Sequence, residues 1–213
     1  KLTKKFNIMK NNLFLFLSFL FSTTFAQNQV HQVLILNEGL FDYDSPVSVG
    51  SYDPVTEVYT TVVEIDSSRF ASDLIIDGTF FYVAADNKIL KFDLDSYELL
   101  EEVQVEGVRN LAIHNNHLFA SRGEYDPVTW GAVQYNSFLH VYDKHNLSYI
   151  TELDTINGPK ATTQNLIVDN GKLYVAINNG FEWGNEEGLV GVIDANSLDY
   201  ISEFDLGDNG KNP

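Results

Sequence analysis

The chain holds two tryptophans, Trp130 and Trp183, among 213 residues. Tyr125 and Asp126 lie just upstream of the first, and Phe181 and Glu182 directly precede the second. Aromatic faces beside carboxylates suit stacking on a sugar ring or a peptide, with the polar groups setting orientation. That chemistry is recognition rather than bond breaking. Trp130, Trp183, Tyr125 and Phe181 are the candidate stacking residues, and Glu182 and Asp126 the candidate polar contacts. Signatures of catalysis are missing. There is no G-x-S-x-G elbow and no glycine-rich phosphate loop. His114, His117, His140 and His145 do not cluster, and none has the H-E-x-x-H spacing of a zinc site. Asp205–Gly210 is acidic but lacks the residue order of a calcium loop. The chain has no cysteine, which excludes disulfides and thiolate metal sites. No catalytic residue, metal ligand or cofactor is therefore assigned.

The elements that must position these residues are strands. An apolar strand ending in aspartate, followed by a polar turn, recurs at Asp53, Asp93, Asp143 and Asp194. The steps between them are 40, 50 and 51 residues. A strand-built period of about 40–50 residues marks a β-propeller, with one four-stranded blade per repeat. The second repeat predicts strands at Ser72–Ile76, Phe80–Ala85, Lys88–Asp93 and Glu98–Val105. The third predicts Asn110–His114, His117–Ser121, Phe138–Asp143 and Tyr149–Leu153. The fourth predicts Asn165–Val168, Lys172–Ile177, Leu189–Asp194 and Tyr200–Leu206. Asp77-Gly78 and Asn170-Gly171 suit two-residue hairpin turns, because these residues tolerate positive φ. The second and third strands are apolar almost throughout, as packing on both faces requires. The fourth strands alternate, with Leu99, Val103 and Val105 among polar residues, as half-exposed outer strands should. An aspartate opening such a turn accepts a hydrogen bond from the amide two residues on. The repeated aspartates are therefore expected to be turn-formers, not an acidic site.

The first repeat predicts only Gln32–Leu36, Val47–Asp53 and Glu57–Ile65, with no inner strand before them. The expectation is an arc of about four blades, the first incomplete, from a larger ring. Residues 1–26 read as upstream residues plus a secretory signal starting at Met9. Lys10 is followed by an apolar run from Leu13 to Phe21 and by Thr24-Phe25-Ala26. That run is about half of the roughly 20 residues a spanning helix needs. Residues 27–213 are then one exported domain, in the periplasm, on the cell surface or secreted, with no integral membrane segment. The first 26 residues carry four lysines and no acid, so nine Lys and Arg remain against 30 Asp and Glu. A net charge of -21 repels phosphate backbones, which excludes nucleic acid as a partner.

Chemistry is left to the loops between second and third strands. This loop is Asp86-Asn87 in the second repeat, Arg122 to Ser137 in the third and Asn178 to Glu187 in the fourth. The first has Glu38–Pro46, with Phe41 and Tyr43. All should emerge on one rim, and both tryptophans lie on it.

The Gly171-Lys172-Leu173-Tyr174-Val175-Ala176 and Val192-Ile193-Asp194-Ala195-Asn196-Ser197 segments resemble the YVTN repeats of YncE-like propellers. Leu34-Ile35-Leu36-Asn37-Glu38-Gly39, with Tyr52-Asp53-Pro54-Val55-Thr56, resembles the start of secreted, surface-associated bacterial members. The resemblance covers Gln32–Pro213 and implies a seven-bladed ring, in a group whose members are mostly non-enzymatic or of unknown role. The long loops of the third and fourth repeats depart from it. The expected function is a binding or scaffold module for a glycan or protein. The alternative is an enzyme of quinoprotein-dehydrogenase or lyase type, with its catalytic residues in other blades.

Overall fold

The computed structural model describes residues 30–40, 45–207 and 210–211. The segment expected to be a secretory signal, Phe41 and Tyr43 lie outside the described residues. Seventeen strands build four successive sheets and one small side hairpin. The first sheet has three strands: β1 (Val33–Asn37), β2 (Val47–Asp53) and β3 (Val58–Ile65). The second runs β4 (Ala71–Asp77), β5 (Phe80–Ala85), β6 (Lys88–Asp93) and β7 (Leu99–Gln104). The third runs β8 (Val108–His114), β9 (His117–Arg122), β12 (Ser137–Asp143) and β13 (Tyr149–Asp154). Between β9 and β12 the chain makes the side hairpin, β10 (Tyr125–Asp126) and β11 (Gly131–Ala132). The fourth sheet is β14 (Thr163–Asp169), β15 (Lys172–Ile177), β16 (Leu189–Asp194) and β17 (Tyr200–Asp205). Every pairing is antiparallel between neighbours, and β4, β8 and β14 lie side by side at the inner edges. These are the blades of a β-propeller.

The walls between blades follow from strand period. Side chains alternate faces along a strand, so a strand between two neighbours needs apolar residues at every position. β5 meets that need: Phe81, Val83 and Ala85 pack toward blade one, while Tyr82 and Ala84 pack toward blade three. β9 repeats it, with Leu118 and Ala120 toward blade two and Phe119 toward blade four. Each large side chain so buried contributes about 1.5–3 kcal/mol. Phe81 stacks on Phe92, with ring centroids 4.9 Å apart, inside the first wall. In β15 one face, Leu173, Val175 and Ile177, enters the third wall, while Tyr174 and Ala176 stay half-buried.

Two expectations need correction. The hairpin of blade two turns at Gly78-Thr79, with Gly78 at φ 61°, and Asp77 is the last residue of β4. Asp77 instead accepts a hydrogen bond from Lys144 Nζ at 2.7 Å, tying blade two to blade three. Leu99, grouped in sequence with Val103 and Val105 in the alternating outer strand, is 46% exposed and does not share their burial. Val103 packs inward and Val105 is buried.

Candidate ligand-binding rim

Antiparallel order sends the β4–β5 and β6–β7 turns, and their counterparts, to one rim. The opposite rim receives the β5–β6 turn, its longer equivalents and the links between blades. On the first rim the aspartates are consumed by their own turns. Asp53 accepts from Val55 N at 2.8 Å and from Thr56 Oγ1 at 2.8 Å. Asp93 accepts from Ser96 N at 2.8 Å, Asp143 from His145 N at 2.7 Å and Asp194 from Asn196 N at 2.9 Å. The fifth residue of each turn takes a left-handed backbone: Glu57, Tyr97, Leu147 and Leu198 lie at φ 55–66°.

The opposite rim carries the long loops. In blade three, Asp126 opens a fifth copy of this turn. It accepts from Val128 N at 2.8 Å and from Thr129 Oγ1 at 2.9 Å, and Trp130 takes the left-handed fifth position at φ 62°. The carboxylate proposed as a ligand contact is thus engaged in folding the hairpin. Tyr125-Asp126-Pro127-Val128-Thr129 repeats Tyr52-Asp53-Pro54-Val55-Thr56 letter for letter, a signal present in the sequence. In blade four, Asn178 N and Asn179 N both donate to Thr162 O at 3.2 Å, anchoring the loop to the blade link. Glu182 Oε1 accepts from Ala132 N at 3.0 Å and from Gln134 Nε2 at 3.3 Å. Glu182 is therefore a latch between the two loops. Trp130 and Trp183 stand at the loop tips, 78% and 83% exposed.

Tyr125 and Phe181 take a different place. They line a cavity of about 380 Å³ where the loops meet the starts of the inner strands. Blades two, three and four all contribute, with Phe70, Asp86, Arg109 and Pro127 among the walls. The volume lies within the range of small-molecule sites. Each of the three inner strands β4, β8 and β14 is bulged near its start, and the bulge of β8 lines this cavity. Pairing skips a residue between Ala71 and Asp73, between Val108 and Leu111, and between Thr163 and Leu166. The bulged segments align as Ala71-Ser72-Asp73-Leu74, Val108-Arg109-Asn110-Leu111 and Thr163-Gln164-Asn165-Leu166. Bulges re-aim side chains, and here they free one polar residue per blade from the ladder. Asp73 Oδ2 accepts from Leu111 N at 2.7 Å, and Ser72 Oγ donates to Arg109 O, stitching the second bulge to the third. Burial raises the Asp73 pKa against these hydrogen bonds.

All three arginines of the chain lie near this rim, in unlike states. Arg69 forms a two-point pair with Asp86, at 2.7 and 3.2 Å. Arg122 is buried. Its Nε donates to Glu106 O at 2.9 Å, and its Nη1 donates to Ser137 O at 2.8 Å and to His140 Nε2 at 2.9 Å. Burial, aided by Arg122, pulls His140 down to about 4. Glu152 stands 3.2 Å from the same nitrogen, but the neutral ring forms no ion pair with it. His140 Nδ1 then faces Tyr142 OH at 3.0 Å as donor. Arg109 differs from both. Its guanidinium lies 5.5 Å from the Phe181 ring centre, and its Nε is buried without a hydrogen-bond partner.

Among the described residues, no group of three or more His, Asp or Glu is placed to hold a metal, and no helix is long and apolar enough to cross a membrane. No family model matches the chain, and no curated protein matches it. Among solved structures it is similar to the hydrazine synthase of Kuenenia stuttgartiensis, with a TM-score of 0.59 and 14% sequence identity. The match covers 75% of this chain and 43% of that one, so the chain spans less than half of its neighbour's length. At this identity the likeness speaks to fold alone.

Proposed function

We propose that this chain is the propeller part of an exported, non-enzymatic binding or scaffold protein, and that its loop rim meets a protein partner. One observation carries the proposal. Val128, Trp130, Ile156 and Trp183 are 78–83% exposed, and among the described residues the next large apolar side chain, Ile167, is 64% exposed. All four belong to the loop rim of blades three and four, with Ile156 on the link between β13 and β14. Exposed tryptophans grouped on one surface mark an interaction site. Val128 and Ile156 have no aromatic face for a sugar, so a protein fits the group better than a glycan. The acidic surface favours a basic partner. The rim carboxylates support the non-enzymatic reading, since Asp86, Asp126 and Glu182 are each held by a structural contact.

The test compares capture by the wild-type exported protein and by a Trp130→Ala/Trp183→Ala variant. Partners bound by the first should be lost from the second, about 30-fold weaker for a hot-spot pair, with an unchanged melting temperature. Capture that ignores the substitution overturns the proposal. A glycan array signal that depends on the tryptophans replaces the protein partner by a sugar. Export is checked separately: N-terminal sequencing of the exported protein should begin at Gln27. The seven-bladed, YVTN-type ring implied by the sequence motifs belongs to this same proposal.

A further inference from the structure

The cavity beneath the loop rim holds a guanidinium that faces an aromatic ring but meets no hydrogen-bond acceptor. Arg109 leaves the β-ladder at the third bulge, and its guanidinium lines the cavity. Among the described residues it has no ion pair and no side-chain hydrogen bond. Arginine stays protonated in proteins, so it cannot escape this position by losing its proton. A partly desolvated charge without an acceptor is costly, and an acceptor arriving from outside would remove that cost. The neighbours define what that acceptor is attached to. Phe70, Phe181, Tyr125 and Pro127 give the cavity a largely apolar wall. Arg69 is already held by Asp86 in two hydrogen bonds, so Arg109 is the cation left for a ligand.

We propose that this cavity binds a monocarboxylate with an apolar body, the carboxylate taken by Arg109 and the body by the aromatic wall. A guanidinium fork matches a carboxylate in two-point geometry, which gives direction as well as attraction. The charge number follows from the surroundings. Glu38 and Glu124 act on Arg109 through space, opposing the lowering of its pKa by burial. Glu124 is itself held by Tyr135 OH, which donates to it at 2.8 Å. These carboxylates, and the acidic surface beyond them, oppose a second negative charge. A phosphate dianion or a dicarboxylate is therefore disfavoured. The other blades show that the position is not dictated by folding. The bulge that carries Arg109 carries Ser72 in blade two and Gln164 in blade four. Folding needs a residue freed from the ladder there, and the arginine is peculiar to the blade beneath the cavity. This inference is independent of the loop-tip tryptophans, which do not line the cavity.

The same chemistry has two sources, a free fatty or aryl acid and the C-terminal residue of a peptide. Calorimetric titration of the intact protein with octanoate and N-acetyl-phenylalanine, against octanamide and N-acetyl-phenylalaninamide, separates them. At least one acid should bind about tenfold or more tightly than its amide, and phenyl phosphate should bind more weakly than that acid. Octanoate alone identifies a free acid, and N-acetyl-phenylalanine alone identifies a chain end. Arg109→Gln, which copies the residue of blade four, should weaken the acid by about 10- to 100-fold and leave the amide unchanged. Arg109→Lys, which keeps the charge without the fork, should fall between the two. Equal binding of acid and amide by the wild type overturns the proposal, even if neither variant folds. An acid preference that survives Arg109→Gln overturns it as well.

Discussion

Tyr52–Thr56 and Tyr125–Thr129 are the same five residues in two places, and the protein uses them for opposite ends. In the first, the turn closes β2 onto β3, and its outer members Val55 and Glu57 simply face solvent. In the second, the same Asp-Pro-Val-Thr bonding folds a short hairpin, two residues per strand around a four-residue loop, that carries Trp130. An identical local code therefore says nothing about role. Role is decided by what each turn is pinned to. The Asp53 turn continues a blade strand, whereas the Asp126 turn is held by Glu182 from the next blade.

The glycines beside the two turns should separate them most strongly. A Cβ on Gly50 would lie 2.2 Å from the Tyr59 ring, whose hydroxyl accepts a hydrogen bond from Asn37 Nδ2 at 2.9 Å. Gly50→Ala must displace that ring and should cost about 2–3 kcal/mol in chemical denaturation. A Cβ on Gly131 would instead approach Glu182 Oε1, at 2.9 Å, the end of a flexible side chain. Gly131→Ala should cost less than about 0.5 kcal/mol and yet loosen the loop latch. It should weaken partner binding without moving the denaturation midpoint. Equal stability losses for the two variants would erase the distinction between a blade turn and a loop turn.

Acid probes the same comparison from the other side. Asp53 is held below the usual carboxylate range first by Thr56 Oγ1, and Asp126 first by Val128 N. Both carboxylates are depressed in the folded state, so what they add is present above about pH 4 and lost as pH falls below it. The two should titrate together by NMR. His140 acts earlier. Its folded value of about 4 lies below the ordinary 6.5, so the unfolded chain binds the proton first. Stability should therefore fall between pH 6.5 and 4, by about 1–2 kcal/mol after allowing for solvent screening. His140→Gln should flatten that limb and leave the aspartate limb below pH 4. A limb that persists in the variant would assign it to other groups.

The blade strands were legible because burial on both faces writes itself as an unbroken apolar run. Phe80–Ala85 and Lys88–Asp93 match the observed strands to the residue. The turn aspartates were legible because their hydrogen bonds are local. The long loops showed by length alone that the rim of blades three and four is unlike the rest. What lies inside those loops did not show. Asp126 and Glu182 look like binding residues in sequence, but one folds a turn and the other spans two blades, a partnership 50 residues apart. Arg109 was invisible for the same reason. Its lack of a hydrogen-bond acceptor is a property of three blades meeting, and no local pattern encodes it. The bulge that releases it is written in Ser72-Asp73-Leu74, Arg109-Asn110-Leu111 and Gln164-Asn165-Leu166, but only alignment of the blades exposes it.

The smallest effect is the sharpest test of the pair. Glu57 and Trp130 occupy the same fifth position with φ of 58° and 62°. A left-handed backbone costs a residue with a side chain about 1–2 kcal/mol, against about 0.5–1 kcal/mol of extra chain entropy lost by glycine. Glu57→Gly and Trp130→Gly should each therefore stabilise the fold slightly, by about 0.5 kcal/mol in denaturant midpoint. Their functional consequences should part. Glu57→Gly leaves partner capture intact, while Trp130→Gly weakens it about tenfold, as loss of an exposed aromatic anchor should. A bulky indole held in a strained conformation and left in solvent is then explained by what it contacts in a complex. If Trp130→Gly instead destabilises the protein, the indole packs its own hairpin, and the two turns differ in position alone.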